Sequence, residues 1–181
     1  MARRLWTIGF SLAAIALLSL VAVAATALLP RDTVVPLSEV TKYFPDVTTE
    51  AGTGLNETQI GSPAASLSVV FTSADGTKKV TLSVDQYGSA DEATAAFNTA
   101  VEGSKDAPGF KPSDVPSLGQ AAFAGTSQVG DEKHFGLGAL DGRLIISATH
   151  AGAIPVTPEN AENLIALTAT ELSLAKQALG N

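Results

Sequence analysis

The stretch LSVVFTSADGTKKVTLSV, residues 67–84, decides the fold. Leu67, Val69 and Phe71 alternate with small polar residues, Ala74-Asp75-Gly76-Thr77 supplies turn chemistry, and Val80, Leu82 and Val84 resume the alternation. A period of two on both sides of a Gly-containing turn predicts a β-hairpin with one buried face. Directly after it, Ser89-Ala90-Asp91-Glu92 has the form of a capping box. Ala93, Ala96, Phe97, Ala100 and Val101 then fall at i, i+3, i+4 spacing, which predicts a helix over 90–102 ending at Gly103.

The same grammar recurs further on. Residues 121–129, 133–140 and 143–150 read as three strands, the last two joined at Asp141-Gly142. Thr157 as N-cap, Pro158 at the first helical position and Glu159 in the first turn start a long helix. Its apolar face carries Ala161, Leu164, Ile165, Thr168, Leu172, Ala175 and Leu179, and Gly180 lies just past its end. Before the first hairpin, Ser38 to Phe44 predicts a two-turn helix capped by Ser38 and stopped by Pro45. Residues 45–66 read as a long loop with a short strand around Leu55, and loops of this length often carry function. Asn56-Glu57-Thr58 within it fits a glycosylation sequon. The order α-ββ-α-βββ-α predicts an α+β fold: an antiparallel sheet with helices packed mainly on one face.

The N-terminus is of a different kind. Leu5 to Leu29 is a run of 25 uncharged residues, long enough as a helix to cross the roughly 30 Å hydrocarbon core. Arg3 and Arg4 precede it, whereas Arg31 beyond it is offset by Asp32, so the positive-inside rule keeps the N-terminus cytoplasmic and sends the rest across. The run exceeds the 7–15 residues usual for a signal-peptide core, which favours a retained anchor; Ala22-Val23-Ala24 and Ala25-Thr26-Ala27 are small-x-small sites where cleavage would release a secreted domain. The expected organisation is therefore a signal anchor over 1–30, a linker over 31–36 and an extracytoplasmic domain over 37–181. It places the chain in the cell membrane as a single-pass protein, bound to the bilayer through residues 5–29.

Beyond residue 30 there are nine basic residues against 18 acidic ones, giving about −9. That balance excludes nucleic acid as a partner, since affinity for phosphate backbones comes from Lys and Arg. The chain has no cysteine, which removes disulfides, thiolate metal sites, cysteine nucleophiles and a lipidated N-terminal cysteine.

Candidate chemistry is sparse. The two histidines, His134 and His150, lie on neighbouring strands, with Ser147 near one and Asp131 near the other, so a small hydrolase using His134 or His150 is one reading. No G-x-S-x-G elbow exposes the serine, and structural histidines are the simpler account. A metal site from both histidines with Asp131 or Glu132 is conceivable from ligand type, but no spacing requires it. Asp75 and Asp141 are explained by their turns, and Gly136-Leu137-Gly138 lacks the context of a dinucleotide fingerprint. No catalytic, cofactor-binding or metal-binding residue is assigned, no cofactor is implied, and the domain is read as a non-enzyme.

Three motifs carry a family resemblance: Tyr87-Gly88-Ser89-Ala90-Asp91-Glu92-Ala93, Leu118-Gly119-Gln120-Ala121-Ala122-Phe123, and Asp141-Gly142-Arg143-Leu144-Ile145-Ile146-Ser147. With the Ala- and Thr-rich, Lys-poor composition they resemble actinobacterial, mycobacterial-type cell-envelope lipoproteins and the extracellular sensor domains of receptor-like serine/threonine kinases. The lipobox cysteine of the former and the paired cysteines of the latter are absent here. The resemblance implies an envelope location and a binding or sensing role, and transfers no site residue. The expected function is a membrane-tethered extracytoplasmic binding or sensor-like module. Its expected partner is an envelope lipid, a small apolar ligand or a membrane protein, held in an apolar pocket between the C-terminal helix and the sheet. An accessory subunit of a membrane complex is the remaining alternative.

Overall fold

The computed structural model describes residues 25–130 and 132–180. Among these residues eight strands form one sheet: β1 Ala27–Leu28, β2 Thr49–Gly54, β3 Ala65–Thr72, β4 Lys78–Gln86, β5 Lys111–Ser113, β6 Ala121–Val129, β7 Glu132–Asp141 and β8 Leu144–Gly152. Three α-helices accompany them: α1 Leu37–Tyr43, α2 Ala90–Lys105 and α3 Pro158–Leu179. The strand order is β1-β3-β4-β8-β7-β6-β5, with β2 beside β3. Every pairing is antiparallel except β1 with β3. The α+β class and the α-ββ-α-βββ-α order are present; of the three short strands at the sheet edges, β1 and β5 are additions and β2 answers to the strand expected in the loop.

The turns form where local chemistry dictates. In the β3–β4 hairpin Asp75 accepts hydrogen bonds from the Ser73 and Thr77 hydroxyls and from the Thr77 N–H, which hold its carboxyl down at about 2. Gly142 has φ 59° at the first of two loop residues between β7 and β8, the position that demands glycine in a type II′ turn. Ser89 accepts from the N–H of Glu92, and Thr157 from that of Asn160, so both helix caps stand where expected.

Alternation sorts the side chains into two faces. Leu67, Val69, Phe71, Val80, Leu82, Val84, Phe135, Leu137, Leu144 and Ile146 point to one side, where Val40 of α1 and Leu164, Leu167, Leu172 and Ala175 of α3 cover them. On the reverse side α2 packs Ala93, Ala96 and Phe97 against Tyr87, Leu140 and Ile145. Two of the three helices thus share a face. The third covers only part of the other.

Several expectations change at the N-terminal edge. Residues 1–24, and with them most of the predicted anchor, lie outside the described residues; among those described, no helix is long and apolar enough to cross a membrane. The end of the apolar run belongs to the domain. The Ala27 N–H donates to the Ala64 carbonyl and the Leu29 N–H to that of Ser66, while the Leu29 side chain is buried. A cut after Ala24 would leave β1 whole, whereas a cut after Ala27 would remove half of it.

Residues 31–36 are likewise no free linker. Thr33, Val34 and Val35 are buried, and the Arg31 guanidinium donates to the Val34 carbonyl at 2.7 Å and to Glu50 at 2.6 Å. The Val35 N–H donates to Glu171 Oε2 of α3 at 2.8 Å. Glu171 is wholly buried and its other carboxylate oxygen has no hydrogen-bond partner among the described residues, so burial pushes its carboxyl up to about 7 despite the Val35 bond and the attraction of Arg31. Helix α1 begins at Leu37, with Pro36 rather than Ser38 as its N-cap. The strand expected around Leu55 is β2, ending at Gly54, and Leu55 itself is 44% exposed.

Candidate functional site

The part of the reverse face that α2 leaves open is built from outward-pointing residues of the central strands. Thr81 pairs with Thr149 and Ser83 with Ser147 across β4 and β8, and Ser68 of β3 lies opposite Ser83. The Ser83 hydroxyl donates to Ser68 Oγ at 2.9 Å, while those of Thr81, Ser147 and Thr149 make no hydrogen bond among the described residues. On the next strand Gly136 faces Thr149, and the absent side chain keeps the floor low. Over Gly138 the Phe123 ring covers the strand: an added Cβ would lie 2.6 Å from it. Phe123 meets Phe97 edge-on at 5.5 Å, which marks the border of the α2 core.

Residues 52–58 rise over the β3 side, and Gly76-Thr77 and Glu132 close the rim, leaving a groove of about 740 Å³. That volume falls within the roughly 300–1,000 Å³ of ordinary small-molecule sites. The overhanging loop is fixed by a buried polar cluster. Asn56 Nδ2 donates to Asp85 Oδ2 at 2.7 Å, the Ser66 hydroxyl donates to Asp85 Oδ1 at 2.6 Å, and the Asn56 N–H donates to Ser66 Oγ at 3.1 Å. Burial raises the Asp85 carboxyl above its usual range, against the opposing pull of the Ser66 and Asn56 bonds. With its side chain inside this cluster and only 5% exposed, Asn56 is not presented as a glycosylation acceptor.

Replacing Asp85 by alanine leaves Asn56 Nδ2 and the Ser66 hydroxyl without their acceptor. A loss of about 2 kcal/mol is expected in urea denaturation, together with faster amide exchange at residues 55–58.

The structure separates His150 from the other described catalytic candidates. His150 faces the main core, wholly buried between Phe44, with centroids 6.0 Å apart, and Phe135 at 5.7 Å. Both its nitrogens lack partners among the described residues, and burial, with a smaller push from His134, holds its imidazole down at about 4. His134 and Ser147 lie on the opposite face, in the groove. Neither His–His nor His150–Ser147 chemistry is possible across the sheet. Asp131 lies outside the described residues, and among those described no three His, Asp or Glu residues gather as metal ligands. Among the described residues His134 Nε2 has no hydrogen-bond partner, and it lies 3.8 Å from Glu132 Oε2.

The apolar pocket expected beneath the C-terminal helix is filled: Leu164, Leu167, Leu172 and Ala175 of α3 are all buried against the sheet. The groove is on the other side and hydroxyl-lined. Its signal was in the sequence as Ser68, Thr81, Ser83, Ser147 and Thr149 at alternate positions, but such a pattern also describes any solvated sheet face.

The chain is thus an α+β domain in which an open, mostly antiparallel sheet carries two helices on one face and a groove beside the third helix on the other. No protein-family model matches it, and no curated protein sequence is similar to it. Its fold is similar to that in the crystal structure of the extracellular domain of PknH from Mycobacterium tuberculosis, with a TM-score of 0.52 over 82% of this chain and 94% of that one, at 11% identity. At that identity the likeness shows the fold.

Proposed function

We propose that this chain is an extracytoplasmic, sensor-like binding module, held at the membrane by its N-terminal apolar run and taking its ligand in the hydroxyl-lined groove. The observation that carries the reading is the groove itself: a concavity of ligand size, floored by hydroxyls of which those of Thr81, Ser147 and Thr149 have no partner among the described residues, and overhung by a loop pinned to a buried carboxylate. The fold likeness to an extracellular domain supports the location, and agrees with the sequence resemblance to extracellular sensor domains. So does the arrangement of Arg3 and Arg4 before the apolar run. Without the residues that belong to β1, the run from Leu5 to Thr26 still has 22 residues, or about 33 Å of helix. Because Leu29 to Val35 is packed into the domain, the domain would sit close to the bilayer.

The absence of native cysteine makes the test clean. Thr149→Cys in the groove and Asn98→Cys on the exposed side of α2 are both expected to react with a membrane-impermeant maleimide in intact cells. With purified full-length protein, cell-envelope extract is expected to slow labelling of Thr149→Cys and leave Asn98→Cys unchanged. Labelling only after permeabilisation would refute the location, and equal rates with and without extract would refute the groove.

A further inference from the structure

We infer that the groove recognises a carbohydrate, a class of ligand that rests on reading the groove as the binding site. Each free floor hydroxyl is both donor and acceptor, and they stand on a grid set by the sheet, about 4.8 Å between strands and about 6.7 Å between alternate residues. A flat molecule with hydroxyls around its rim can satisfy several of them at once. A ligand with only donors or only acceptors would leave half of that capacity unused.

Between these hydroxyls the lining is apolar: the methyl groups of Thr81 and Thr149, the Val70 side chain and the exposed Leu55 on the overhanging loop. Sugar rings match that interleaving, because their C–H faces are apolar and their edges polar. Charge argues the same way. Among the described residues Lys79 is the only Lys or Arg in the lining, against Glu57 and Glu132, so a phosphate-bearing or otherwise anionic ligand meets no cluster of positive charge. A long acyl chain would bury the Ser and Thr hydroxyls without partners, at a cost of about 1–3 kcal/mol for each one. No Phe, Tyr or Trp among the described residues lines the groove, so the affinity should come from hydrogen bonds over an extended contact, and short oligosaccharides should bind better than single sugars.

The test is an amide NMR titration of the full-length protein with maltotriose, mannobiose, an arabinose disaccharide and chitotriose, and separately with inorganic phosphate and a lysophospholipid. At least one saccharide is expected to shift Thr81, Ser147 and Thr149 saturably. Thr149→Val, which keeps the branched shape and removes the hydroxyl, is expected to weaken that binding at least fivefold without lowering the melting temperature. Undiminished binding by Thr149→Val would overturn the proposal. So would shifts at these residues from phosphate or lysophospholipid but from no saccharide, and in that case the groove would remain the binding site. If no saccharide binds while envelope extract still protects Thr149→Cys, the carbohydrate class fails and the binding reading survives. If neither occurs, both fail.

Discussion

Glu171→Gln is expected to stabilise the protein at pH 8 and to do little at pH 5. Glutamine keeps an oxygen for the Val35 N–H, which Glu171 Oε2 accepts at 2.8 Å, and cannot ionise. In the folded chain burial raises this carboxyl from 4.5 to about 7, with Arg31 as the charged neighbour that opposes the rise. A raised folded-state value means that the stabilising contribution is complete below pH 4.5 and is lost as pH climbs through 7. The shift corresponds to about 3 kcal/mol. Urea melts of both proteins from pH 4.5 to 8.5 should therefore converge in acid and separate by about that amount above pH 7.5. Parallel curves would show that Glu171 does not titrate in this range. Because the same side chain ties the segment 29–36 to α3, the wild-type protein should also exchange the Val35 amide faster at pH 8 than a simple base-catalysed increase predicts.

What the sequence revealed was local. Hairpins and helix caps were legible because Asp141-Gly142, Ser89 and Thr157 act on backbone within a few residues of themselves. The N-terminal edge was not. Leu29 belongs by composition to a membrane-length apolar run and by packing to the core, and the bond that fixes Val35 comes from a residue 136 positions away. A signal for Glu171 did exist: it lies three residues after Thr168 and seven after Leu164, on the apolar face of α3, where a carboxylate is out of place. The groove depended on a similar long reach, since its overhang is held by Asn56 and Asp85, 29 residues apart. The fate of the histidines was closer to hand. Any two-residue loop between β7 and β8 pairs odd with even positions, as Phe135 with His150, so two even-numbered residues on these strands must face opposite ways. The Asp-Gly turn alone thus argued against a His134–His150 site.

His150→Leu is expected to have the opposite pH dependence. The imidazole is buried between Phe44 and Phe135 with both nitrogens unpartnered among the described residues, so a leucine of similar volume removes an unsatisfied polar group. A gain of about 1–2 kcal/mol is expected at pH 7, after allowing for lost ring contacts. In the folded wild-type protein the imidazole is depressed from 6.5 to about 4 by burial, with His134 as the neighbouring titratable group. Stability tied to it is complete above pH 6.5 and is lost as pH falls through 4, about 3 kcal/mol in all. Glu171 works in the other direction over nearly the same window. Between about pH 4.5 and 6.5 the two slopes oppose each other, and wild-type stability should be almost flat, with Asp85, also raised, adding in the Glu171 sense at the acid end. Each single variant unmasks the other group. Glu171→Gln should lose stability on acidification from pH 6.5 to 4, and His150→Leu should lose it on raising the pH from 4.5 to 7, each at a slope approaching 1.4 kcal/mol per pH unit. The double variant should be flat again. If His150→Leu instead kept the wild-type profile, the buried imidazole would have to be hydrogen-bonded or protonated in the native state.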